Sequence, residues 1–77
     1  MPCRVGITTN PIERRIYWQS QVIRFKNWRI IKKFRTQEEA QVYENWYADK
    51  YNCRAHVGGP HSPGIWCVYR FDYLRER

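Results

Sequence analysis

The residues best suited to chemistry in this 77-residue chain are cations interleaved with aromatic rings. Arg24, Lys26, Arg29, Lys32, Lys33 and Arg35 crowd the middle of the sequence, with Trp18, Phe25 and Trp28 among them. Cations that follow a phosphate backbone, with rings on which bases stack, form a surface for nucleic acid. The same pattern also arises when the rings form the core and the cations a solvated rim. A second grouping, Cys53-x-x-His56 followed by His61 and Cys67, has the residue types of a zinc site. Its spacing is irregular, and Cys67 alternates with Ile65 and Tyr69 on an apolar stretch, which reads more simply as a buried thiol. No Ser/His/Asp or Cys/His arrangement carries the spacing of a nucleophilic triad.

Composition narrows the partners. Fourteen Lys and Arg against seven Asp and Glu give a net charge of +7 and a pI near 9.7, which attracts polyanions, DNA or RNA foremost. No apolar run approaches the ~20 residues that span a bilayer, and Met1-Pro2-Cys3-Arg4 lacks the apolar stretch of a signal peptide. Three cysteines, an odd number, argue against a disulfide framework and for a reducing compartment, the cytoplasm by default. On this reading Cys3 and Cys67 lie near each other on adjacent strands without a bond. The length suits one domain over residues 1–77. Thirteen aromatic residues, 17% of the chain, help so small a core reach stability.

The elements that must position these residues are legible from local signals. Pro2 to Ile7 reads as a strand. Asn10, Pro11 and Glu13 then supply a cap, a first helical proline and a capping box, opening a helix to about Ser20 with Ile12 and Ile16 toward the core. Trp28 to Phe34 reads as a strand buried on both faces at Ile30-Ile31. Thr36 and Glu39 form a second capping box, and the helix to about Tyr51 carries a stripe of Ala40, Tyr43, Tyr47 and Tyr51. Asn52 to Val57 is a short strand or an extended connection. The Gly- and Pro-rich run 58–64 is turn chemistry. Ile65 to Tyr73 is the clearest strand, with Ile65, Cys67, Tyr69, Phe71 and Tyr73 alternating on one face, and the last four residues fray. The expected class is α+β: a small mixed sheet of three to four strands with two helices.

The segment Val5-Gly6-Ile7-Thr8-Thr9-Asn10-Pro11-Ile12-Glu13-Arg14-Arg15 resembles the second half of the GIY-YIG nuclease signature, a strand ending at Gly, a short polar loop and a helix bearing Arg. Glu38-Glu39-Ala40 followed by Glu44 resembles the acidic helix of the same family. The resemblance covers about Arg4 to His56. It implies Arg14 as the catalytic cation, with Arg15 beside it, and Glu44 as the ligand of one Mg²⁺ or Mn²⁺ in a phosphodiester endonuclease. A carboxylate suits a hard divalent ion, and an Arg offsets charge developing on a scissile phosphate. Ala40 and Ala48, one turn either side of Glu44, leave room on that flank. Arg4, Arg15, Lys32, Lys33 and His56, which falls near the family's late Asn, are the expected contacts to DNA or RNA.

The chain departs from the pattern at Arg4, which stands where the YIG tyrosine would and stays protonated, so it supplies no general base. It also has no GIY strand ahead of Val5. Gly64-Ile65-Trp66-Cys67-Val68-Tyr69 resembles that strand moved to the C-terminus, as in a circular permutation, and makes Tyr69 the candidate phenol; the simpler reading is a core strand that ends the sheet. The alternative function is a catalytically inactive module of the same fold that regulates or docks on a protein partner.

Overall fold

Both helices start where their capping boxes set them. Asn10 accepts a hydrogen bond from the Glu13 amide at 3.2 Å and donates from its own amide to the Glu13 carboxylate at 3.0 Å. Thr36 accepts from the Glu39 amide at 3.3 Å and donates to the Glu39 carboxylate at 3.0 Å. Each exchange satisfies an amide that the first helical turn leaves without a partner. The structure, a computed structural model, describes residues 2–55 and 64–77. In chain order it comprises β1 (Cys3–Thr8), α1 (Pro11–Gln21), β2 (Val22–Ile23), β3 (Lys26–Phe34), α2 (Gln37–Tyr51), β4 (Arg54–Ala55), β5 (Trp66–Asp72) and β6 (Arg75–Glu76). Asn52 closes α2 in the left-handed region, at φ 54°, with its amide donating to Ala48.

The main sheet is mixed, in the order β3-β5-β1-β4. Strand β5 runs antiparallel to both β1 and β3, and β4 runs parallel to β1. A second pair, β2 with β6, forms a small antiparallel ribbon. The fold is therefore a small α+β architecture. Alternation along the strands divides the core in two. Val5, Ile7, Trp66 and Val68 pack with Ala40 and Tyr47 of α2. Tyr69, Phe71 and Tyr73 pack with Trp18 of α1 and Val22. No helix among the described residues is long and apolar enough to cross a membrane.

Several expectations are corrected. Ile12 and Ile16 do not face the core: they are 75% and 62% exposed, and the inward residues of α1 are Arg14 and Trp18. On α2 the buried stripe is Ala40, Glu44, Tyr47 and Ala48, whereas Tyr51 is exposed. Central β5 is buried on both faces, with Val68 as enclosed as Tyr69, while Ile65 lies outside it and is exposed. The C-terminal residues are held: Arg75 and Glu76 pair with Ile23 and Val22, and the Arg77 amide donates to Gln21 at 3.0 Å. Trp18 is core, and Phe25 and Trp28 are half-buried against the same cluster.

The cysteine reading is also overturned. Cys3 and Cys53 form a disulfide, and only Cys67 among the three is a free, buried thiol. Cys3 pairs across the sheet with Asp72 and Cys67 with Thr8, so these two lie at opposite ends of the β1–β5 ladder. The bond removes the support that an odd cysteine count lent to a reducing compartment. It also takes Cys53 out of any zinc set; His56 and His61 lie outside the described residues.

Candidate functional site around Tyr69

Gly6 and Tyr69 are direct partners across the β1–β5 ladder. The phenol lies over Gly6 so closely that a Cβ there would come within 2.2 Å of the Tyr69 Oη. Residue 6 must lack a side chain for the ring to lie where it does. Trp18, on the inward face of α1, donates its indole N–H to the Tyr69 Oη at 2.8 Å. Trp28 stacks on the other ring system of the pair, its centroid 4.7 Å from that of Tyr69 with the planes 19° apart.

Three charged groups act on this phenol. Burial pushes the Tyr69 hydroxyl up to about 12; the Trp18 hydrogen bond, Arg14 and Arg4 act in the opposite sense, and the Glu44 carboxyl adds to the rise. Arg14, Arg4 and Glu44 thus act on one group from three elements, α1, β1 and α2. At neutral pH Tyr69 stays protonated and serves as a hydrogen-bond donor or acceptor rather than as a base.

Arg14 lies one turn before Trp18 on the inward face of α1 and is half-buried, its guanidinium 5.3 Å from the Tyr17 ring centroid. Arg4 is buried. It pairs with Glu76 of β6 and lies over the Trp18 ring at 4.7 Å. Its charge is therefore held inside the molecule, paired to the C-terminal ribbon.

Glu44 is wholly enclosed. Gln41, one turn earlier, donates to its Oε1 at 2.8 Å, while Oε2 is buried with no hydrogen-bond partner. Burial raises the carboxyl from its ordinary 4.5 to about 7, partly offset by Gln41. Near neutrality the group is divided between acid and carboxylate. An unpartnered carboxylate oxygen is the ligand type that Mg²⁺ and Mn²⁺ take, but with Glu44 fully enclosed the surrounding side chains must open before an ion with its waters reaches Oε2. No cluster of three His, Cys, Asp or Glu side chains occurs among the described residues, so Glu44 would be the protein's single ligand in such a site.

The other expected contact residues lie apart from this cluster. Arg15 is exposed on α1 on the side that faces β3, and Lys32 and Lys33 are exposed on β3, opposite Val68 and Cys67 of β5. His56 falls outside the described residues. Sequence reasoning missed the two neutral groups that hold the cluster together. Trp18 was marked by its place four residues after Arg14, and Gln41 by its place three before Glu44. Comparison with protein-family models, curated proteins and solved structures finds no match to this chain.

Proposed function

We propose that this chain is a nucleic-acid-binding domain of GIY-YIG type, with a phosphodiester as the group its Arg14–Glu44–Tyr69 cluster engages. The observation that carries the reading is the enclosed Tyr69 phenol laid across Gly6 and hydrogen-bonded by Trp18, with the charges of Arg14, Glu44 and Arg4 acting on its hydroxyl. The antiparallel docking of β5 on β1 supports it, because Tyr69 then belongs to the strand that stands beside the Gly6 strand, as a displaced GIY strand would. The net charge of +7 supports a polyanionic partner, DNA or RNA.

In this reading each residue has a separate task. Arg14 offsets the negative charge that grows on the phosphate oxygens as the bond breaks. Tyr69, kept neutral by its enclosure, holds a hydrogen-bonding group fixed against that site. Glu44 in its ionised form would hold one Mg²⁺ or Mn²⁺, which when bound supplies Lewis-acid polarisation of the phosphate and of a water. Lys32, Lys33 and Arg15 are the outer contacts that draw the backbone in.

The test joins binding to cleavage. Labelled DNA and RNA are incubated with Mg²⁺ or Mn²⁺ and the wild-type protein, Arg14→Ala or Glu44→Ala. The expected result is a metal-dependent cut by the wild type and loss of at least about a hundredfold in either variant, comparable to removing one charge-stabilising group from an active site. Binding should weaken steeply as salt rises. Binding that ignores salt, or is absent, overturns the nucleic-acid reading.

A second reading has one specific observation in its favour: Glu44 and Tyr69 have no exposed surface, so a phosphate must displace something to reach them. A catalytically inactive module acting through a protein partner needs no such opening. An apolar groove between α2 and β3, formed by Phe34, Val42, Tyr43 and Trp46 with Glu38 and Glu39 at its edge, offers that partner a surface. Salt-dependent binding without a metal-dependent cut supports inactivity; no nucleic-acid binding at all supports the protein partner.

A further inference from the structure

Ile12 and Ile16 are the most exposed apolar residues of α1, and they do not stand alone. With Arg15, Gln19, Trp28 and Ile30 they line a groove of about 460 Å³ between α1 and β3. Its lining carries one cation and no acid, whereas the groove beside α2 carries Glu38 and Glu39 and no cation. A polyanion is admitted by the first and repelled by the second.

We propose that the α1–β3 groove is a nucleobase subsite, seating one unstacked base of a single strand next to the Tyr69 cluster. This inference rests on the nucleic-acid reading above and names the form of substrate that the domain takes. The floor is apolar and includes an indole that is only half-buried, which is what a base released from its stack needs. Gln19 carries both a donor and an acceptor, suited to the edge of a base, and Arg15 supplies a cation for the flanking phosphate. The groove is joined to the cluster through Trp28, whose ring stacks on that of Tyr69 at 4.7 Å. Arg14 and Arg15 are consecutive on α1, the first half-buried with its charge acting on the phenol and the second exposed on the groove. Successive phosphates of one strand would meet these successive residues. A duplex, whose bases stay stacked and paired, gains nothing from the groove.

The experiment compares a fluorescently labelled oligothymidylate with a duplex of equal length at one fixed salt concentration. The proteins are the wild type, the double variant Ile12→Ala/Ile16→Ala, and Gln19→Ala. All three positions are exposed, so circular dichroism should show the same fold. The double variant is expected to bind the single strand about tenfold more weakly, within the range of one base–aromatic contact, with duplex affinity and salt slope unchanged. Photocrosslinking of an oligonucleotide carrying 5-iodouracil should attach to the peptide that contains Trp28. Wild-type affinity for the single strand in both variants, an equal loss on duplex, or crosslinks confined to other peptides overturns the subsite while leaving the nucleic-acid reading intact. A wild-type protein that binds neither probe overturns both.

Discussion

A carboxyl group enclosed with one oxygen unpartnered is a stability statement as well as a site. Glu44 rises from 4.5 to about 7 because burial penalises its charged form. The folded state therefore holds this proton more tightly than the unfolded chain does. The stabilisation it contributes is full below about pH 4.5 and is lost as pH climbs through about 7. At about 1.4 kcal/mol per pH unit of displacement, the swing is up to about 3 kcal/mol. Glu44→Gln keeps the shape and removes the ionisation. Its stability relative to wild type, read from urea unfolding, should rise between pH 5 and pH 8; a constant difference would show that the carboxyl is not strained by burial. Gly6→Ala tests the other side of the cluster. The added methyl must push the enclosed Tyr69 ring away and break the Trp18 hydrogen bond, so a loss of about 2–4 kcal/mol is expected in the same assay. Gly6, Arg14 and Glu44 were singled out in the sequence by a resemblance, which did not indicate that Gly6 lies under a phenol or that Glu44 is enclosed. Trp18 and Gln41 were not, since nothing in their residue types announces that they hydrogen-bond the other members.

Among the elements, the helix starts were the most legible part of the chain. Asn10 with Glu13 and Thr36 with Glu39 are local exchanges that need no tertiary context. The inward face of α1 was not legible, because apolar spacing favours Ile12 and Ile16 whereas packing against Tyr69 and Phe71 selects Trp18 and draws Arg14 in with it. The C-terminal ribbon was missed for a related reason. Charged residues such as Arg75 and Glu76 resemble a solvated tail until a buried cation is found that needs one of them. Arg4 is that cation, and Glu76 is its partner. Deleting residues 75–77 should therefore cost about 1–3 kcal/mol, the penalty of leaving a buried charged group without its partner. Thermal unfolding of the truncated protein checks it; a melting temperature equal to wild type would mean that Arg4 finds another partner.

For the whole molecule, the Cys3–Cys53 bond sets a long-range covalent constraint. It joins residues 50 apart, at the start of β1 and just before β4, the two strands that pair in parallel. In the chain-entropy account a loop of that length contributes about 4 kcal/mol by restricting the unfolded chain. Unfolding in denaturant with and without a reductant should show a loss of that order, and Cys3→Ala/Cys53→Ala should be insensitive to the reductant. An odd count of three could not reveal this pair, because pairing depends on β4 returning to lie beside β1 and not on number.

Strand β3 forms one margin of the sheet, and Lys26, Arg29, Lys32 and Lys33 are exposed along it. Two copies aligned rim to rim there would set ammonium and guanidinium groups against their own kind, which blocks the open-ended strand addition that leads to fibres. Concentrated salt weakens that protection by screening it, so colloidal behaviour at high ionic strength is where this margin makes itself felt.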